Sequence, residues 1–122
     1  MALRFLIVDD NERFLETARV TLERDGIDVV GTATTAAEAV RKAEELGPDV
    51  VLVDISLGKD SGFDLTRRLA ELRDQHSRVL VISTRDEADF ADLIQASPAV
   101  GFLSKSDFSA KAIWELLSSA GG

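Results

Sequence analysis

Val50-Val51-Leu52-Val53 is an unbroken aliphatic run closed by a single acid, Asp54. A strand with one wet face alternates apolar and polar side chains, whereas a run without alternation suits a strand covered on both faces. Four similar runs lie along the chain: Leu3 to Val8, Asp28 to Thr32, Val79 to Ser83 and Val100 to Leu103. The segments between them are long enough for helices of three to four turns. Asn11 to Asp25 sets Phe14, Ala18 and Leu22 on one face, and Gly26 stops it. Thr35-Ala36-Ala37-Glu38 has the capping-box pattern of a second helix, which ends at Gly47-Pro48. The third runs from Gly62 to Asp74 with Phe63, Leu65, Leu69 and Leu72 apolar. The fourth, Asp86 to Ala96, carries Phe90, Leu93 and Ile94, with Thr84 as its cap and Glu87 three residues on. The last, Ser109 to Ser119, has Ile113, Trp114, Leu116 and Leu117 as its apolar stripe. Strand and helix alternate five times. Parallel neighbours need crossovers, so the pattern predicts one parallel sheet with helices on both faces. Ligands of such sheets bind beyond the carboxyl ends of the strands, where the strand order reverses.

The 122 residues suit one domain, large enough to fold without cross-links, and there is no cysteine. That excludes a disulfide framework and thiolate chemistry. Asp and Glu number 22 against 14 Lys and Arg, a net charge of -8, which disfavours duplex DNA as a direct ligand. No apolar run reaches the length of a membrane span, and Met1 leads almost at once into a strand-like segment rather than a signal peptide. A cytoplasmic protein without membrane contact is expected.

The residues that follow each strand line the ligand crevice. Asp9-Asp10 follow the first, Asp54 the third, Ser83-Thr84 the fourth and Ser104-Lys105 the fifth. Taken singly, each aspartate reads as a helix cap or turn residue, Ser83 as a turn hydroxyl and Lys105 as a solvated lysine. Jointly these readings fail. Two unit charges about 4 Å apart repel by roughly 4 kcal/mol at an effective dielectric near 20, so clustered carboxylates must raise a pKa or recruit a cation. Three carboxylates and one ammonium leave two negative charges, which a divalent metal cancels. Oxygen-only ligands point to magnesium, manganese or calcium. So few carboxylates suit a magnesium that keeps waters for an incoming phosphate, and hence phosphoryl chemistry.

These residues resemble the receiver domain of bacterial two-component response regulators over essentially all of residues 1–122. The likeness rests on Asp9-Asp10, Asp54, Gly62, Ser83 and Gly101-Phe102-Leu103-Ser104-Lys105 in that order at strand ends. It implies a CheY-like, flavodoxin-like fold with strand order 2-1-3-4-5. It implies Asp54 as phosphoacceptor from a sensor histidine kinase or histidine phosphotransfer protein. Mg2+ would be held by Asp10, Asp54 and the Ser56 backbone carbonyl, with Asp9 acting mainly through water. Lys105 would stabilise the phosphoryl oxygens, and Ser83 and Phe102 would switch the face formed by helix 4, strand 5 and helix 5. That face often dimerises in the family, so a homodimer is a further expectation. By the same likeness the chain is a phosphoacceptor that assists its own phosphorylation and dephosphorylation, not an enzyme acting on other molecules.

Departures from the family pattern carry their own expectations. Leu57-Gly58 replaces the usual Met-Pro, giving a more flexible loop. Ser106 replaces the proline that follows the lysine, so the Lys105-Ser106 bond is trans or strained. This Lys-Ser feature resembles the receivers of LuxR/NarL-type transcription factors, implying an output in transcription through a separate helix-turn-helix domain. Gly121-Gly122 reads as the start of a linker as much as a terminus. Thr84 stands where alanine is common, Phe102 replaces the frequent tyrosine, and Arg85 is a candidate modulator of hydrolysis. His76 reads as a surface residue and Trp114 as core. Glu12, Arg13, Glu16, Arg19 and Glu23 form a solvated face of the first helix, where the family docks its kinase. Two alternatives compete: a pseudo-receiver that binds a partner without phosphorylation, and a haloacid-dehalogenase-type Mg2+ phosphatase. The second needs a carboxylate two residues after the nucleophile, where Ser56 stands.

Overall fold

The computed structural model describes residues 3–72 and 77–120; His76, Asp74 and Gly121-Gly122 lie outside the described residues. Five strands form one parallel sheet: β1 (Arg4–Val8), β2 (Asp28–Ala33), β3 (Val50–Asp54), β4 (Arg78–Ser83) and β5 (Gly101–Ser104). Their order is β2-β1-β3-β4-β5, the doubly wound arrangement implied by the sequence. The order reverses between β1 and β3. Every residue of β3 is buried, because the strand lies mid-sheet and both faces are covered.

Successive side chains of a strand point to opposite faces, and the core divides accordingly. Phe5, Ile7, Val50, Leu52, Leu80 and Ile82 pack under α1 (Glu12–Arg24) and α5 (Ala110–Ala120). Leu6, Val8, Val51, Val53 and Val79 pack under α2 (Ala36–Leu46) and α3 (Gly62–Glu71). A third cluster, Ile55, Phe63, Val81 and Phe102, is covered by Phe90 and Ile94 around α4 (Ala91–Ala96).

The caps follow from side-chain chemistry. Asn11 Oδ1 accepts the N–H groups of Arg13 and Phe14, satisfying two orphan donors of α1. Thr35 Oγ1 accepts from Glu38 N at 3.1 Å, and Glu38 Oε1 accepts in return from Thr34 N at 2.8 Å, one residue before the cap itself.

Four expectations need correction. Thr84 does not cap a helix: the segment is a 3-10 turn over Glu87–Phe90 followed by a six-residue α4, and the turn has no side-chain cap. No residue of α4 is buried, and Leu93 is 52% exposed. Trp114 is 42% exposed rather than in the core. The buried stripe of α5 is Ala110, Ile113 and Leu117, and Trp114 follows Ile113 by one residue, about 100° around the axis. On α1 the buried stripe is Leu15, Ala18 and Leu22, which leaves Phe14 half-buried on its flank.

The loop after β3 adds a feature absent from the sequence reading. Ser56–Leu57 pairs antiparallel with Asp60–Ser61, and Gly58 turns the ribbon at φ 59°. The peptide bonds of the described residues are all trans, Lys105-Ser106 included.

Candidate functional site

Strand register assembles the site. Val8 lies opposite Val53, so Asp9 emerges beside Asp54. Ser83 lies opposite Ser104, which delivers Lys105 to the same edge. Carboxylate oxygens of Asp9, Asp10 and Asp54 all lie within 4.8 Å of one another. Asp9 is fully buried and Asp54 nearly so, while Asp10 is exposed at the mouth.

The Lys105 Nζ sits 2.5 Å from Asp9 Oδ2 and 3.2 Å from Asp54 Oδ2, with its side chain 12% exposed. The contact to Asp9 is ionic but lies outside hydrogen-bond angles, so this buried oxygen accepts no hydrogen bond. Asp9 Oδ1 accepts from Asn11 N at 2.8 Å, and Asp54 Oδ1 accepts from Ser56 N at 3.1 Å. Burial, then the charge of Asp9, pushes the Asp54 carboxyl up to about 6, against the Ser56 N–H and the Lys105 charge. Burial pulls the Lys105 ammonium down, but its contacts with Asp9 and Asp54 outweigh that and leave it raised.

An oxygen cluster with a net negative charge, whose buried Asp9 Oδ2 has an ion pair but no hydrogen bond, fits a hard divalent cation such as Mg2+. The Ser56 N–H donates to Asp54, so the residue is held against the acceptor carboxylate.

Gly62 lies against the floor of the site. A Cβ there would fall 2.2 Å from the Asp54 carbonyl oxygen and 2.7 Å from Ile55 Cα. Only glycine permits that approach. Gly62 N in turn donates to Ile55 O at 2.7 Å.

The remaining predicted residues divide. Ser83 is buried, and its Oγ accepts from Arg85 N at 2.9 Å, leaving the hydroxyl proton free to donate. Phe102 is buried against Phe90, ring centroids 6.5 Å apart. Thr84 is exposed. Arg85 is engaged away from the carboxylates, 3.6 Å from Asp89 Oδ2 and 5.0 Å over the Phe90 ring.

Comparison with known families decides the assignment. Residues 5–117 match the family model described as the response regulator receiver domain. The chain belongs to the receiver domains of response regulators. This receiver is 34% identical over 106 residues to the response regulator GacA of Pseudomonas viridiflava, covering 84% of the chain and 48% of the relative. It spans about half the length of the curated relatives it matches. A LuxR-family two-component response regulator from Aurantimonas superposes with TM-score 0.86 at 29% identity, covering 100% of this chain and 87% of that one. A response regulator from Burkholderia pseudomallei, solved with a phosphorylated aspartic acid, calcium ion and citrate, gives TM-score 0.85 at 31% identity, covering 98% and 69%. Receivers bind Mg2+ at an acidic pocket and take their signal from histidine kinases; this receiver carries the acidic cluster. No helix among its described residues is long and apolar enough to cross a membrane.

Sequence reasoning missed Phe14 and Asp60. Phe14 places its ring 4.4 Å from Lys105 Nζ, and Asp60 Oδ2 accepts from Ala36 N at the start of α2. For Phe14 a signal existed: the cap of α1, Asn11, directly follows the acidic pair, so the helix's first turn borders the site.

Proposed function

We propose that this receiver is a phosphorylatable switch in which Asp54 accepts a phosphoryl group from a phosphohistidine. The observation that carries this reading is the Lys105 ammonium set between Asp9 Oδ2 and Asp54 Oδ2 at the edge where the strand order reverses. An Asp54 oxygen forms the new P–O bond as the P–N bond to the donor imidazole breaks. Lys105 offsets charge on the transferring oxygens, and little covalent help is needed. Asp9, Asp10, Asp54 and the Ser56 carbonyl would hold Mg2+, whose two positive charges bring the site's sum to zero. The phosphoaspartate of the Burkholderia neighbour supports the same chemistry here.

Phosphorylation exchanges a charge of about -1 on Asp54 for about -2. The free proton of Ser83 then becomes a donor to the added oxygens, drawing its loop inward. Phe102 packs on Phe90, so movement of the Ser83 loop is felt at α4 and the face it forms with β5 and α5. That face is the surface through which a homodimer or an output domain would read the switch. The LuxR-family neighbour and the length of the relatives support a transcriptional output carried by a separate domain. The donor would be a sensor histidine kinase or histidine phosphotransfer protein, with the receiver assisting its own phosphorylation and dephosphorylation rather than acting as an enzyme on other molecules. The complete set of Asp9, Asp10, Asp54, Ser83 and Lys105 favours this reading over a phosphorylation-independent pseudo-receiver. Incubation with a small acyl phosphate should label the chain only with Mg2+ present, and Asp54→Asn should abolish the label. Labelling that survives Asp54→Asn would overturn the assignment.

A further inference from the structure

Lys105 needs more than its two carboxylates. An ammonium carries three N–H bonds; one is donated to Asp54 Oδ2, while Asp9 Oδ2 holds the charge as an ion pair. Its third neighbour is the Phe14 ring, with Nζ over the face at 4.4 Å from the centroid. The negative face of an aromatic ring attracts a cation, most strongly where water is scarce, and the Lys105 side chain is only 12% exposed.

The ring itself is held on two sides. Phe108, in the loop between β5 and α5, meets it edge-on with centroids 5.3 Å apart and an interplanar angle of 81°. On the backbone side, Asn11 N donates to Asp9 Oδ1 while Asn11 Oδ1 accepts from Phe14 N. One residue thus ties the acidic site to the first turn of α1 and sets where the ring stands. The lysine stem has four rotatable bonds, and a ring packed at its head restricts the positions the ammonium can take.

We propose that Phe14 is a positioning residue for Lys105, holding the ammonium partly dehydrated and aimed at the oxygens that arrive on Asp54. This inference rests on Asp54 being the phosphoacceptor. It assigns to α1 a direct part in the chemistry of the site, separate from any docking role of its charged face. A fixed, dehydrated ammonium acts on the added phosphoryl charge at lower dielectric than a mobile, hydrated one.

The test is binding of beryllofluoride, a phosphoryl mimic, at saturating Mg2+ by calorimetry, with Mg2+ binding measured separately. Phe14→Leu keeps apolar bulk and removes the ring; it should weaken beryllofluoride binding roughly two- to thirtyfold, the range of a cation–π contact. Its Mg2+ affinity should stay within about twofold, because the carboxylates are untouched. Phe14→Tyr should restore binding. A pentafluorinated phenylalanine at position 14 keeps the shape and reverses the ring's charge distribution, so it should bind as poorly as the leucine variant. It also serves if Phe14→Leu does not fold. Equal binding by the wild type and the fluorinated or leucine chain would overturn the proposal, as would a parallel loss of Mg2+ affinity or no rescue by tyrosine. Ring-current displacement of the Lys105 ε-proton resonances reads the contact without any mimic. If that displacement is present but the wild type itself binds no beryllofluoride, the phosphoacceptor reading fails, and the positioning role falls with it. If the displacement is absent, the ring contact alone is refuted.

Discussion

Replacing Asp54 by asparagine should make the metal-free protein more stable, although it removes the central group of the site. In the folded chain the Asp54 carboxyl is pushed from 3.8 up to about 6 by burial and by the neighbouring Asp9. Between about pH 4 and pH 6 the folded state therefore holds a proton that the unfolded chain has lost, and stability falls as the pH rises through that window. Above it the cost is fully present, and a roughly hundredfold change in acidity corresponds to about 3 kcal/mol. Asparagine is nearly isosteric, keeps an oxygen for the Ser56 N–H and carries no charge. At pH 7 it should gain up to about 3 kcal/mol over the wild type, shrinking to less than about 1 kcal/mol at pH 4. Urea unfolding followed by circular dichroism in a chelating buffer measures this. With a slope of about 1–3 kcal/mol/M, the midpoint should rise by roughly 1–3 M at pH 7. Millimolar Mg2+ should then stabilise the wild type, by about 2.7 kcal/mol at a hundredfold excess over its dissociation constant, and Asp54→Asn much less. An asparagine variant no more stable than the wild type at pH 7 would refute the cost that burial, and then the charge of Asp9, places on the ionised Asp54.

Three other outcomes follow from named contacts. Gly62→Ala puts a Cβ 2.2 Å from the Asp54 carbonyl oxygen, so a loss of about 3 kcal/mol or more is expected in urea unfolding; a loss below about 1 kcal/mol would contradict the close approach. Gly58→Pro grafts the ring that the family usually carries into a position where φ is 59°, whereas proline requires about -65°. It should destabilise by more than about 1 kcal/mol, Gly58→Asn by less, and a neutral proline would mean a different loop. Leu93→Gln should change stability by no more than about 0.5 kcal/mol because Leu93 is 52% exposed, while Ile113→Ala in the core should lose about 2–5 kcal/mol. Equal losses at the two positions would place Leu93 in a core it does not join.

The strands were legible because their signal is local. Runs such as Val50 to Val53 carry no polar residue, as suits the part of a strand that is covered on both faces. The start of the second helix, written in capping chemistry at Thr35, was equally readable. The fourth helix was not. Its apolar residues have helical spacing, yet Phe90 and Ile94 pack inward while Leu93 faces water, and the first turn is 3-10. Trp114 misled for a related reason: periodicity defines a stripe, but a single helical step decides whether its flank is covered, and the neighbouring elements settle that.

At the site the division is the same. The sequence alone determined the chemical inventory, three carboxylates, a hydroxyl and a lysine after successive strands, together with the sheet edge where they meet. Tertiary structure alone decided their ranks: Asp9 buried and paired with Lys105, Asp10 at the mouth, Arg85 drawn off to Asp89 and Phe90. It also brought Phe14 over Lys105, a contact between residues far apart in the chain. The physical reason is that strand ends set position to within a residue, whereas burial and ion pairing depend on ångström distances between elements. Those distances exist only once the sheet, its register and the helices above it have closed on one another.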